Sequence, residues 1–127
     1  MNRKSVIFAG PQRSGKSTAA RALAKEVATN PDKVFVLTEF RHLLGPSFVL
    51  GSILKTGAEV VIVEEGFPRL RRKDLLGLRD LVSAKTLTME LKGRDPVQVP
   101  APYFIFTTRV DVPDFFINDR RFEVRFL

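Results

Sequence analysis

The chain has 127 residues, enough for one domain that buries about two thirds of the surface its unfolded form exposes. Hydrophobic residues make up 44% and charged residues 28%, a balance that excludes a largely disordered chain. Cysteine is absent and His42 is the single histidine, which excludes disulfides, thiolate metal sites and a multi-histidine cage, while a net charge of +7 favours a polyanionic partner.

The N-terminal MNRKSVIFAG leads straight into an apolar, β-branched run, Ser5 to Ala9, that reads as a buried strand. No signal peptide is expected, and no apolar run approaches membrane-spanning length, so the reading is an intracellular protein without a membrane partner. Gly10-Pro11-Gln12-Arg13-Ser14-Gly15-Lys16-Ser17 then fits the phosphate-binding pattern G-x-x-x-x-G-K-[ST] at every fixed position. Gly10 and Gly15 let the backbone curl until successive N–H groups point inward. Lys16 brings a cation to the β- and γ-phosphates, and Ser17 offers a hydroxyl to Mg²⁺. Gly10 through Thr18 are therefore the expected ATP-binding residues, with Mg²⁺ arriving alongside the nucleotide.

Ser17 to Ala28 has helical periodicity, with Ala19, Ala20, Leu23, Ala24 and Val27 on one stripe, and Asn30-Pro31 stops it. Lys33 to Thr38 is a second buried strand, which makes the first third a β-α-β unit with parallel pairing. Glu39 to Lys55 predicts helical pieces broken by Gly45-Pro46 and Gly51. In Glu59 to Glu65 an apolar strand ends in two carboxylates, at the strand end where open α/β sheets bind ligands. Neighbouring strand residues face opposite ways, so Glu64 is expected to hold the Mg²⁺ shell and Glu65 to orient the attacking water. Solvated strand-end charges are the bland alternative.

Arg69 to Val82 predicts a helix with Arg71, Arg72 and Lys73 near its start, either a solvated basic face or a binding patch. Thr86 to Val99 alternates apolar and polar residues around Lys92-Gly93-Arg94-Asp95, the pattern of a β-hairpin with a basic tip suited to a phosphate backbone. Pro102 to Thr107 is a further buried strand running into Thr107-Thr108-Arg109, and Asp111 to Phe116 reads as loop. Asn118-Asp119-Arg120-Arg121 precedes a last half-exposed strand, Phe122 to Phe126, expected at a sheet edge.

This order of parts resembles the superfamily 3 helicase domain found in replication proteins of small DNA viruses, phages and plasmids. The resemblance covers essentially the whole chain. It implies a compact AAA+-like P-loop fold: a mostly parallel five-stranded α/β sheet flanked by helices, with an inserted hairpin, over residues 1–127. It implies a ring, usually a hexamer, that hydrolyses ATP between subunits and acts on single-stranded DNA in the cytoplasm of a host cell. Gly10, Gly15, Lys16 and Ser17 match its Walker A loop, Glu64 and Glu65 its acidic pair, and Lys92 with Arg94 its DNA-contacting hairpin. Thr107 and Thr108 match its motif C, with Thr108 in a catalytic role, and Arg120 or Arg121 matches its arginine finger. Arg109 stands where the family normally has asparagine. The nuclease, primase or origin-binding domain and the helical oligomerisation segment that usually precede this one are expected on separate proteins or missing.

Two other readings share the loop. One is a small P-loop kinase, against which the Glu64-Glu65 pair suits activation of water better than transfer to an acceptor. The other is a nucleotide-binding assembly module with weak or no hydrolysis, to which Arg109 would point.

Overall fold

The computed structural model of the protein describes residues 3–43, 48–64, 71–89, 93–109 and 111–127, together with their side chains except at 41, 48 and 49. Strand β1 is Ser5–Ala9, helix α1 Lys16–Val27, strand β2 Val34–Leu37, helix α2 Phe48–Lys55 and strand β3 Val60–Val63. Helix α3 (Arg72–Ser83), strands β4 (Thr86–Met89), β5 (Val97–Pro100) and β6 (Tyr103–Thr108), helix α4 (Asp114–Asn118) and strand β7 (Phe122–Phe126) follow. Short 3₁₀ turns cover Pro31–Lys33 and Phe40–His42.

Five strands form one sheet in the order β2-β3-β6-β1-β7, with every neighbouring pair parallel. Such a sheet is covered on both faces, which explains why its inner strands are continuous apolar runs. Val60 to Val63 are all fully buried, and so are Ile7 and Ala9 of β1. Alternation along each strand divides the core in two. Val6, Phe8, Val60, Ile62 and Ile105 meet Ala20, Leu23 and Ala24 of α1. Ile7, Leu37, Val61, Val63, Phe104 and Phe106 face the other way, onto Leu78 of α3 and Phe116 of α4.

Strands β4 and β5 form a separate antiparallel hairpin that pairs Leu87 with Val99 and Met89 with Val97. One face of it carries the polar ladder Thr86–Gln98–Thr88, with side-chain hydrogen bonds of 3.1 and 2.7 Å. The other face supplies Leu87 to the core on the α3 side. The expected fold class is therefore the observed one, including the edge position of β7.

Residues 111–116 depart from the loop reading, because Asp114–Asn118 forms a short helix. Pro113 supplies the extended N-cap and Asp114 an acid in the first turn. What fixes it is tertiary: Phe116 is fully buried, edge-on to Phe122 at 4.8 Å and to Phe115 at 5.5 Å between ring centroids. Contacts of that kind leave no periodic trace in so short a segment.

Candidate functional site

The loop after β1 turns at the carboxyl end of the sheet, where the backbone of Gly10 is held by an N–H donated to the Thr108 carbonyl at 3.2 Å. The Ser14 N–H donates to the Pro11 carbonyl at 3.3 Å and closes the turn. Two residues then take left-handed backbone conformations, Arg13 at φ 66° and Gly15 at φ 91°. Glycine adopts that conformation without strain, whereas arginine does so at a cost of about 1 kcal/mol or more. Gly10 is needed for a different reason: a Cβ there would come within 2.7 Å of Ser14 Oγ and 3.0 Å of the Leu127 carbonyl oxygen.

Gly15 is the N-cap of α1, and no side chain caps that end. The first turn of the helix thus directs backbone N–H groups and the positive end of its dipole toward the loop, with no acid in that turn to compete. Lys16 is 6% exposed and sits inside the loop. Gln12, Arg13, Gly15, Lys16, Ser17 and Thr18 line a hollow of about 270 Å³.

Glu64 follows β3 directly, and its N–H donates to the Leu37 carbonyl at 3.0 Å. In the sheet β3 is separated from β1 by β6, yet the Ser17 hydroxyl donates to Glu64 Oε1 at 3.0 Å. The Arg21 guanidinium reaches the same oxygen at 3.4 Å. Ser17 and Glu64 offer hard oxygen donors at one point beside this hollow. That donor set fits Mg²⁺, which takes one or two protein oxygens and completes its shell with phosphate and water. No cluster of three or more potential metal ligands occurs among the described residues, so a cage built from protein alone is not found there.

Thr107 and Thr108 end β6, 1% and 5% exposed, between the strands that carry the loop and Glu64. Thr107 pairs with Phe8, whose face is the one covered by α1. Thr108 pairs with Ala9, and alternation turns its side chain to the opposite face while its carbonyl holds Gly10. Arg109 follows, exposed.

The remaining expected residues lie elsewhere. Arg120 and Arg121 precede β7 at the amino end of the sheet, where the Ser5 N–H donates to the Arg121 carbonyl at 3.0 Å. The length of β1, about 13 Å at roughly 3.3 Å per residue, separates them from the phosphate loop of the same chain. Arg121 is paired with Asp119 at 3.4 Å, and Arg120 is exposed. Arg94 is exposed beside Gly93, whose φ of 75° makes the hairpin turn. Glu65 and Lys92 lie outside the described residues. Sequence reasoning missed Arg21 as a partner of Glu64; a cation one helical turn beyond Ser17 was the available signal.

Sheet order, loop and strand-end acid together define an α/β fold of the phosphate-loop type. No family model matches the chain, and no curated protein matches it. Among solved structures it is similar to the apo structure of the NrS-1 C-terminal region (305–718), with a TM-score of 0.59 and 20% identity over 97% of this chain and 29% of that one. Two A-form apo structures of that region give TM-scores of 0.56 and 0.59 at 19% and 21% identity, each covering 97% of this chain and 28% of the other. At these identities the likeness is one of fold, and this chain spans less than a third of that relative's length. No helix among the described residues is long and apolar enough to cross a membrane.

Proposed function

We propose that the protein is an ATP-hydrolysing motor of superfamily 3 helicase type, which acts on single-stranded DNA in viral or plasmid replication as a head-to-tail ring. The observation that carries this reading is the 3.0 Å contact of Ser17 with Glu64, made beside a buried Lys16 at an uncapped helix start. A chance loop match would have no reason to bring a strand-end acid from two strands away onto its terminal serine. When bound, Mg²⁺ supplies neutralisation of the β- and γ-phosphate charge. Ser17 and Glu64 would hold it, and Lys16 with the first N–H groups of α1 would hold the phosphates. Glu65 would orient water, a role taken from the family resemblance. Thr107 and Thr108 stand beside the loop at the end of β6 for the motif C role.

Arg120 is too distant from its own loop to act there, and this supports the family's arrangement in which a neighbouring copy supplies the finger. A head-to-tail contact closes into a ring when its rotation permits. An arginine so placed is worth on the order of 10³-fold or more in rate.

The test is phosphate release by the wild type and by Lys16→Ala, with and without Mg²⁺ and single-stranded DNA, alongside the mass of the assembly. The expected result is Mg²⁺-dependent hydrolysis stimulated by DNA, abolished in a Lys16→Ala protein that keeps its circular dichroism. ATP binding with no phosphate release under any of these conditions would reduce the protein to an assembly module. Phosphoryl transfer to an added acceptor would make it a kinase.

A further inference from the structure

Strand β7 ends the five-stranded sheet, and no described strand pairs with its outer edge. The Ser5 N–H donates to the Arg121 carbonyl at 3.0 Å and the Leu127 N–H to the Ala9 carbonyl at 2.8 Å, which orients the backbone between them. Backbone groups alternate along a strand, so Glu123 and Arg125 also turn theirs to β1, while Phe122, Val124 and Phe126 turn theirs outward. One outward group is already occupied, the Phe122 N–H, which donates to the Asp119 carbonyl at 3.1 Å. The side chains alternate as well. Phe122 and Val124 belong to the core on the α4 side, and Phe126, next on that face, is 61% exposed. Ile117, on the helix whose Phe116 packs on Phe122, is 49% exposed. Glu123 and Arg125 share the α1 face, paired at 2.5 Å, with the guanidinium 5.6 Å from the Phe8 ring centroid. Strand β2, at the other end of the sheet, exposes no large apolar side chain.

We infer that this edge is a self-association surface, on which a second copy of the chain pairs antiparallel about a two-fold axis at Val124 and continues the sheet across both molecules. The alignment follows from the residues. With Val124 opposite Val124, each N–H meets the other's carbonyl; two places on, the Phe126 N–H of each copy meets the Phe122 carbonyl of the other. Four bonds form and no outward N–H of β7 is left over, because Phe122 has given its own to Asp119. The same alignment sets Glu123 of each copy opposite Arg125 of the other, in the non-hydrogen-bonded positions where facing side chains lie closest, so two cross-strand ion pairs form. Charges on an edge strand ordinarily prevent pairing between copies. Here they are opposite in sign and symmetric about Val124, so the edge complements itself. Sliding one copy by two places sets Glu123 against Glu123 or Arg125 against Arg125 instead. In the paired sheet Phe126 of the second copy lies across from Phe122, beside α4 and Ile117, and is withdrawn from water. The contact is isologous. It uses neither the phosphate loop nor Arg120 and stands apart from the head-to-tail ring proposed above.

The test is sedimentation equilibrium of the chain without nucleotide or Mg²⁺, which keeps any nucleotide-driven ring out of the measurement. The wild type is expected to rise from the mass of one copy to that of two as its concentration increases. Glu123→Arg sets two pairs of like charges across the axis and should weaken the dimer about ten-fold or more, and Arg125→Glu should do the same. Both side chains are about half exposed, so each variant should keep the wild-type circular dichroism. Mixed in equal amounts, the two weakened variants should associate with each other, because one strand then presents two arginines to two glutamates of the other. Val124→Pro removes an N–H that points away from β1, and should abolish the dimer in a protein that keeps its circular dichroism. A single-copy mass at every concentration up to about 1 mM overturns the inference, and so does a dimer indifferent to both charge reversals. Failure of the mixed variants to associate overturns the two-fold alignment. A dimer that survives in folded Val124→Pro overturns pairing through the strand backbone; where that variant does not fold, the charge mixture decides alone.

Discussion

Ser17 Oγ lies 3.0 Å from Glu64 Oε1 although 47 positions separate the two residues in sequence. The contact exists because β6 inserts between β1 and β3 and sets the two strand ends one strand apart, with α1 leaning over the gap.

Arg21 occupies the same carboxylate oxygen, and its side chain is 59% exposed. An exposed ion pair of this kind is worth about 0–1 kcal/mol, and a cation at Glu64 must displace it. Arg21→Ala should therefore tighten Mg²⁺ binding to the nucleotide-loaded protein by up to about five-fold, the equivalent of that energy. Ser17→Ala and Glu64→Gln should weaken it. Mg²⁺ titration of a fluorescent nucleotide's signal measures all three, and weaker Mg²⁺ binding by Arg21→Ala would contradict the competition.

The two loop glycines should fail differently. Gly15→Ala meets open space but keeps a φ of 91°, a strain of about 1–2 kcal/mol. Gly10→Ala has ordinary backbone and instead drives a methyl into Ser14 Oγ and the Leu127 carbonyl, an overpacking of about 1–3 kcal/mol. Adding Ser14→Gly should recover part of the loss in Gly10→Ala and none of it in Gly15→Ala. Denaturant midpoints of the single and double variants decide the matter.

At the hairpin, Lys92→Ala with Arg94→Ala should lower affinity for single-stranded DNA and flatten its dependence on salt. Each lost phosphate contact reduces the log–log slope by about 0.7 for single strands. Basal ATP hydrolysis in the absence of DNA should change little. An unaltered slope in the double variant would make the hairpin an ordinary surface loop.

Glu59 joins the end of α1 to the start of β3. Its carboxylate accepts from the Thr29 hydroxyl, from the Thr29 N–H at 3.1 Å and from the Asn30 N–H at 2.9 Å. The Thr29 side chain foremost, then these N–H groups, holds its pKa below the ordinary 4.5. A carboxylate depressed in the folded state contributes stability that is complete above the unfolded value and is lost as pH falls through the folded one. Stability should thus decline below pH 4.5, the group's ordinary value, and Glu59→Gln should show a shallower decline. Unfolding free energies measured between about pH 3 and 6 compare the two, and identical slopes would remove Glu59 from the acid response.

Much of this arrangement is legible in the sequence because it is local. The phosphate loop is contiguous from Gly10 to Ser17, the buried strands are unbroken apolar runs, and the hairpin alternates strictly on both sides of its turn. Non-local features were out of reach. Nothing in the order of residues says that β6 lies between β1 and β3: the motifs assign Ser17 and Glu64 to one Mg²⁺, and alternation puts Thr107 and Thr108 on opposite faces, but which strand separates the loop from the acid cannot be read from it. The helix at Asp114–Asn118 depends on where Phe116 finds Phe122. The starts of β1 and β7 bring Arg3, Lys4, Arg120 and Arg121 together with Ser83 of α3 around one cleft, which composition registers only as excess positive charge.

The central position of β1 also sets a timetable for synthesis. Both of its neighbours, β6 and β7, come from the last quarter of the chain, and Ser5 donates its hydroxyl proton to Phe104, 99 residues downstream. While the ribosome is still making the middle of the protein, the first strand has no edge to pair with, and its apolar face waits in solution or on a chaperone. Closing loops of that length before any pairing is gained makes folding slow and the nascent chain prone to aggregate. The loop after β1, made before either neighbour of its strand, is among the last parts to take shape.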